Sequence, residues 1–151
     1  MAAQPKFGYP GIRRSYTCAE AIGAGITSGN PANSGAGVVV ERRSGTDLIG
    51  NAAAGSLVVV GVAIDDVPAS AAYVGGKYVG LGHEMTVFSG GFVQVVFAAT
   101  TTEGQRLIAA ANGQVTPAGA SPDARTIIGH ADSAVAAGAV GIMYIAAGGV
   151  G

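Results

Sequence analysis

The side chains able to do chemistry are few, and they are scattered. His83 and His130 lie far apart, and neither sits in an HxxxH or HExxH pattern that would put two imidazoles on one metal. His83 precedes Glu84, and neighbours on a strand point to opposite faces, so the two do not form a working pair. A hydrogen-bonded or exposed state is expected for both histidines. Asp65 and Asp66 close the apolar stretch VVVGVAI and are followed by Val67-Pro68. Carboxylates there mark solvent and a turn, and the further oxygen ligands of a calcium loop are missing. Cys18 is the only cysteine, which excludes an intrachain disulfide and any CxxC motif. It carries no nucleophile signature and is expected to be a small buried hydrophobe, in a chain assembled in a reducing cytoplasm.

Phosphate chemistry fares no better. The run Gly23-Ala24-Gly25-Ile26-Thr27-Ser28-Gly29 misses the GxGxxG spacing, and GxxxxGK[ST] does not occur. No catalytic, cofactor-binding or metal-binding residue is therefore assigned, and a non-enzymatic protein is expected. Basic and aromatic residues interleave only near the start, at Phe7, Tyr9, Ile12, Arg13, Arg14 and Tyr16. Three cations in that stretch (with Lys6) make a poor nucleic-acid footprint. A net charge of −1 draws the chain neither to nucleic acid nor to an acidic membrane.

The elements around these residues read as β. Of 151 residues, 49% are hydrophobic and only 11% charged, with 26 glycines, which argues against disorder. Low charge also protects a monomer poorly against association, so much of the surface is expected to meet other protein. Residues 1–18 hold Pro5 and Pro10, which break any helical period, and read as an extended arm. The arm is not expected to be a signal peptide, since Phe7, Tyr9 and Ile12 are interrupted by proline and glycine. Residues 19–151 read as a single β-barrel-like domain.

Strands are expected at 20–27, 37–42, 47–49, 57–64, 73–79, 84–88, 92–98, 106–109, 114–116, 126–131 and 139–145. Turns fall at 28–31, 43–46, 75–77 and 89–91. Ser89-Gly90-Gly91 is the clearest hairpin signal, and Asn112-Gly113 is a second. One short helix is allowed at 68–73. The uncharged run 133–151 is broken by glycines and reads as a buried final strand rather than a membrane span. So apolar a set of strands must close on itself or stack on a second sheet, giving an all-β small barrel or sandwich.

A faint duplication accompanies this pattern. Leu48-Ile49 with Ala52-Ala53 resembles Leu107-Ile108 with Ala110-Ala111, and Gly61-Val62-Ala63 resembles Gly129-His130-Ala131. Two related β units, about 36–66 and 95–146, would explain it, and chance in an Ala/Gly-rich chain is the other reading.

The order of these pieces resembles phage capsid decoration (cement, head-stabilising) proteins. The matching parts are Leu107-Ile108, Asn112-Gly113, Gly129-His130-Ala131, Ala136-Ala137-Gly138 and the strand 140–145, repeated in part by Leu48-Ile49, Ala53-Ala54-Gly55 and the run 61–65. The middle section 67–98 and the arm depart from the pattern. The resemblance implies a virion protein on the exterior of the capsid, a homo-oligomer, trimer favoured, with the major capsid protein as partner. It also implies an arm that adds a strand to that partner. Here Phe7, Tyr9, Ile12 and Tyr16 would anchor the arm, while Arg13 and Arg14 pair with carboxylates. Other readings are a head fibre or tail component, or a small ligand- or carbohydrate-binding barrel. The last would need exposed aromatics gathered on one surface.

Overall fold

A computed structural model describes residues 13–23, 25–26, 37–64 and 84–145. Phe7, Tyr9, Ile12, Asp65, Asp66 and His83 lie outside the described residues. So do the strand expected at 73–79, the helix at 68–73 and the turns at 28–31 and 75–77.

The fold is all-β. The strands are β1 (Arg13–Thr17), β2 (Val38–Arg42), β3 (Ile49–Asn51), β4 (Val59–Ala63), β5 (Glu84–Phe88), β6 (Gly91–Val96), β7 (Arg106–Ala109), β8 (Val115–Pro117), β9 (Ile127–Ala131) and β10 (Val140–Ile145). Only two short 3-10 turns accompany them among the described residues, at Ala111–Gly113 and Ala124–Thr126. The strands form two antiparallel five-stranded sheets, ordered β1-β5-β4-β2-β3 and β6-β10-β9-β7-β8.

The second order is the first one repeated five strands later, and the likeness extends to single residues. Between β2 and β4, Val40 faces Gly61 and Glu41 faces Val59, leaving Val60 as a bulge. Between β7 and β9, Leu107 faces Gly129 and Ile108 faces Ile127, leaving Ile128. Just past the first strand of each sheet comes a parallel bridge, Cys18 to Ile49 and Phe97 to Val115. The next amide repeats the pattern: Ala19 N–H donates to Ile49 O at 2.8 Å and Ala98 N–H to Val115 O at 2.7 Å. The two sheets, each a unit of five consecutive strands, thus share one strand order, one bulge position and one closing bridge.

The glycine of each Gly-x-Ala element follows the bulge for a packing reason. A Cβ on Gly61 would stand 2.5 Å from the Phe88 carbonyl oxygen, and one on Gly129 would run into that of Tyr144. The Leu-Ile pairs, by contrast, are not equivalent. Leu107-Ile108 lies in β7, the counterpart of β2, whereas Ile49 opens β3, the counterpart of β8.

Three further expectations are corrected. Ser89-Gly90-Gly91 does not close a hairpin: β5 is paired on both sides, by β1 and β4, and β6 pairs with β10. The glycines turn a corner from one sheet to the other instead. The described part of 20–27 is a turn rather than a strand, held by Gly23 N–H donating to Asn51 Oδ1 at 2.7 Å. Its Ile22 and Ile26 drop into the first core. Residues 13–17 are extended, as expected of the arm, but they pair along the chain's own β5. The 112–113 hairpin does form, with Asn112 at φ 61° and Gly113 at φ 79° between β7 and β8.

Each sheet curls around its own core. Cys18, Val38, Val40, Ile49, Met85 and Val87 fill the first, and Val95, Phe97, Leu107, Val115, Met143 and Ile145 the second. Val39, Val62 and Phe88, on the other face of the first sheet, join the second core. That leaves β2 buried on both faces, which is why Val38, Val39 and Val40 are all apolar.

Candidate partner-binding surfaces

Two surfaces gather side chains suited to recognition. The first is the edge of the first sheet, where β1 pairs among the described residues with β5 alone, before residues 18 and 19 bridge to Ile49 of β3. Two guanidinium groups lie over the Tyr16 ring there, with the Arg14 carbon 5.4 Å and the Arg42 carbon 5.6 Å from its centre. Arg42 also donates to Asp47 at 2.8 Å. Arg13 and Arg14 are exposed. Of the residues expected to contact a partner, the structure therefore places Arg13, Arg14 and Tyr16 on one strand, while Phe7, Tyr9 and Ile12 fall outside the described residues.

The segment behind β1 is clamped by a polar cluster. Arg43 bonds both Glu20 and Glu41, and Asn51 Nδ2 donates to Glu20 at 2.6 Å. Burial pushes the Glu20 carboxyl up, but hydrogen bonds from Arg43 and Asn51 outweigh it and hold the group below the usual carboxylate range. Glu41 accepts from Ala53 N–H at 3.0 Å as well. The cluster ties residues 20–23 to β2 and β3.

The second surface is one the sequence did not suggest. On the outer face of the second sheet, Phe92, Tyr144, His130 and Arg106 are successive cross-strand neighbours on β6, β10, β9 and β7. Phe92 meets Tyr144 edge-on at 5.1 Å, and His130 stacks on Tyr144 at 5.3 Å. All four are exposed, Phe92 by 59% and Tyr144 by 38%. The five tyrosines are dispersed in sequence, and only strand order and register bring Tyr144 beside Phe92 and His130. The sole hint was strand alternation, which puts Phe92 and Gln94 on one face and Val93 and Val95 on the other.

Nothing in either surface assembles a reaction centre from the described residues. His130 stacks on an aromatic ring, and Cys18 is 2% exposed within the first core. Among the described residues no three of His, Cys, Asp and Glu converge to hold a metal ion. No helix among them is long and apolar enough to cross a membrane.

Comparison with known proteins gives a likeness of fold. No protein-family model matches the chain, and no curated protein matches it. Among solved structures it is similar to the head fiber gp8.5 N base of bacteriophage phi29, with a TM-score of 0.55 and 17% identity. The likeness covers 89% of this chain and 92% of that one.

Proposed function

We propose that this chain is a structural component of a phage virion that attaches to the outside of the capsid shell and stabilises its lattice. The observation that carries the reading is the likeness, over nearly the whole of both chains, to the base of a phage head fibre. The surfaces support it. Strand β1, an edge strand among the described residues, would offer its outer backbone groups to a strand of the major capsid protein, and exposed Arg13 and Arg14 would offer two cations to carboxylates there. Residues 1–12, with Phe7, Tyr9 and Ile12, would extend that contact.

The mechanism is one of binding equilibria. A protein that binds only the mature lattice stabilises it by mass action, and several copies joined in a homo-oligomer, trimer favoured, add avidity. No bond is made or broken, so the role needs no enzyme activity, metal, cofactor, nucleic acid or membrane.

A second reading is favoured by the same likeness: the chain is the base of a head fibre, seated on the capsid and carrying something outward. Purified protein should sediment with expanded capsids, and Arg13→Glu with Arg14→Glu should weaken that binding. Failure to sediment removes both readings. Capsids without the protein that resist heat and low salt equally well remove the cement role and leave the fibre base.

A further inference from the structure

The two units of the chain bear different loads on equivalent faces. In the first sheet, the cross-strand row Arg13, Phe88, Val62, Val39 occupies the positions that Phe92, Tyr144, His130 and Arg106 occupy in the second. Phe88, Val62 and Val39 are buried because the second unit covers them. At the end of that row the 110–114 hairpin packs against β2, with Gly113 nearest the Val38 side chain and the Val39 carbonyl. The Gly113 N–H donates to Ala52 O at 3.0 Å, and Gly113 lies so close to β2 that a Cβ there would stand 2.7 Å from Val39 O. Among the described residues, the same face of the second unit has no such cover.

We propose that a second copy of this chain covers it, docking its 43–48 hairpin against the backbone beside Arg106 as the 110–114 hairpin docks against the backbone beside Val39. The inference deepens the homo-oligomer part of the function proposed above. Three observations select this occupant. The 43–48 hairpin is the first unit's counterpart of 110–114, closed by the equivalent bond, Arg43 N–H to Leu48 O at 2.9 Å against Ala110 N–H to Gln114 O at 2.8 Å.

Its tip, unlike that of 110–114, stands clear of other strands: residues 44–47 are exposed, and Gly45 has nothing within 4 Å of where a Cβ would be. The charges also match. Asp47 is fully exposed on that tip, where its Oδ1 accepts from Arg42 at 2.8 Å, and Arg106 stands where Val39 stands in the first unit. Ala118 N–H donates to Arg106 O at 2.8 Å as Ala52 N–H donates to Val39 O at 3.0 Å, so the receiving backbone is the same as well.

Such a contact joins unlike surfaces of identical chains, so it closes a ring or runs on as a filament. Aromatic Phe92 and Tyr144 would be covered in it, while the Asp47–Arg106 pair fixes its register.

The test is the mass distribution of the full chain in solution, by analytical ultracentrifugation, alongside capsid sedimentation. The wild type should associate. Asp47→Arg and Arg106→Asp should each weaken association roughly tenfold or more, with unchanged circular dichroism, and the two together should restore it. Phe92→Ser with Tyr144→Ser should abolish it.

A wild type that stays monomeric overturns the interface, as does association indifferent to Asp47→Arg. A monomer that uses this face for a glycan or for capsid protein overturns it too. Sedimentation keeps the two proposals apart. A monomeric wild type that binds capsids defeats this interface alone, and an assembled one that ignores capsids defeats the capsid role alone.

Discussion

Phe88 and Tyr144 occupy the same position in the two sheets, each one step from the bulge glycine's pairing, yet Phe88 is 1% exposed and Tyr144 38%. Equivalent backbone settings thus carry one core residue and one surface residue, because among the described residues only the first sheet is covered from behind by the other unit.

Alanine substitution should separate the two. Phe88→Ala empties a packed site and should cost about 3–5 kcal/mol. Tyr144→Ala loses mainly its contacts with Phe92 and His130 and should cost about 1 kcal/mol. Urea unfolding of the three proteins measures both. Equal losses would mean that the outer face of the second sheet is buried in the folded chain.

Most strands were legible because their residues carry strand propensity and alternation between clear turn signals. Residues 106–109, 84–88 and 140–145 are examples, the first two found with their limits unchanged. Pairing was not legible. Ser89-Gly90-Gly91 specifies a bend, but whether the bend closes a hairpin depends on β1 and β4 having taken both edges of β5, and those partners lie far away in sequence. The duplication was visible in the Gly-x-Ala element, where a backbone oxygen forbids any Cβ, and misaligned at Leu-Ile, where any apolar pair serves. The aromatic row was hidden for the first of these reasons, since Phe92, His130 and Tyr144 belong to three strands ordered by long-range pairing.

The Glu20 cluster should leave a mark on acid stability. Hydrogen bonds from Arg43 and Asn51 hold the folded carboxyl below its ordinary value of 4.5. A carboxyl whose folded value is depressed binds protons more readily when unfolded, so stability rises with pH across that window. The contribution is fully present above about pH 4.5 and fades as pH falls through the lower, folded value. Unfolding midpoints measured from neutral to acid pH should therefore fall, and Glu20→Gln should flatten the fall. A Glu20→Gln protein with an unchanged acid limb would remove Glu20 from the groups responsible.

The two bulge glycines give the sharpest check that the units are copies of one design. Gly61 faces the Phe88 carbonyl oxygen and holds φ at 152°, where side chains are strained; Gly129 faces the Tyr144 carbonyl oxygen. Each oxygen belongs to a central strand hydrogen-bonded on both sides, so it cannot retreat without breaking a ladder. Gly61→Ala and Gly129→Ala should therefore each destabilise by about 2 kcal/mol or more. Gly119→Ala, where nothing lies within 4 Å, should stay within about 0.5 kcal/mol of the parent. If Gly129→Ala were as mild as Gly119→Ala, the close approach of β9 to β10 would be wrong, and with it the residue-by-residue match of the two sheets.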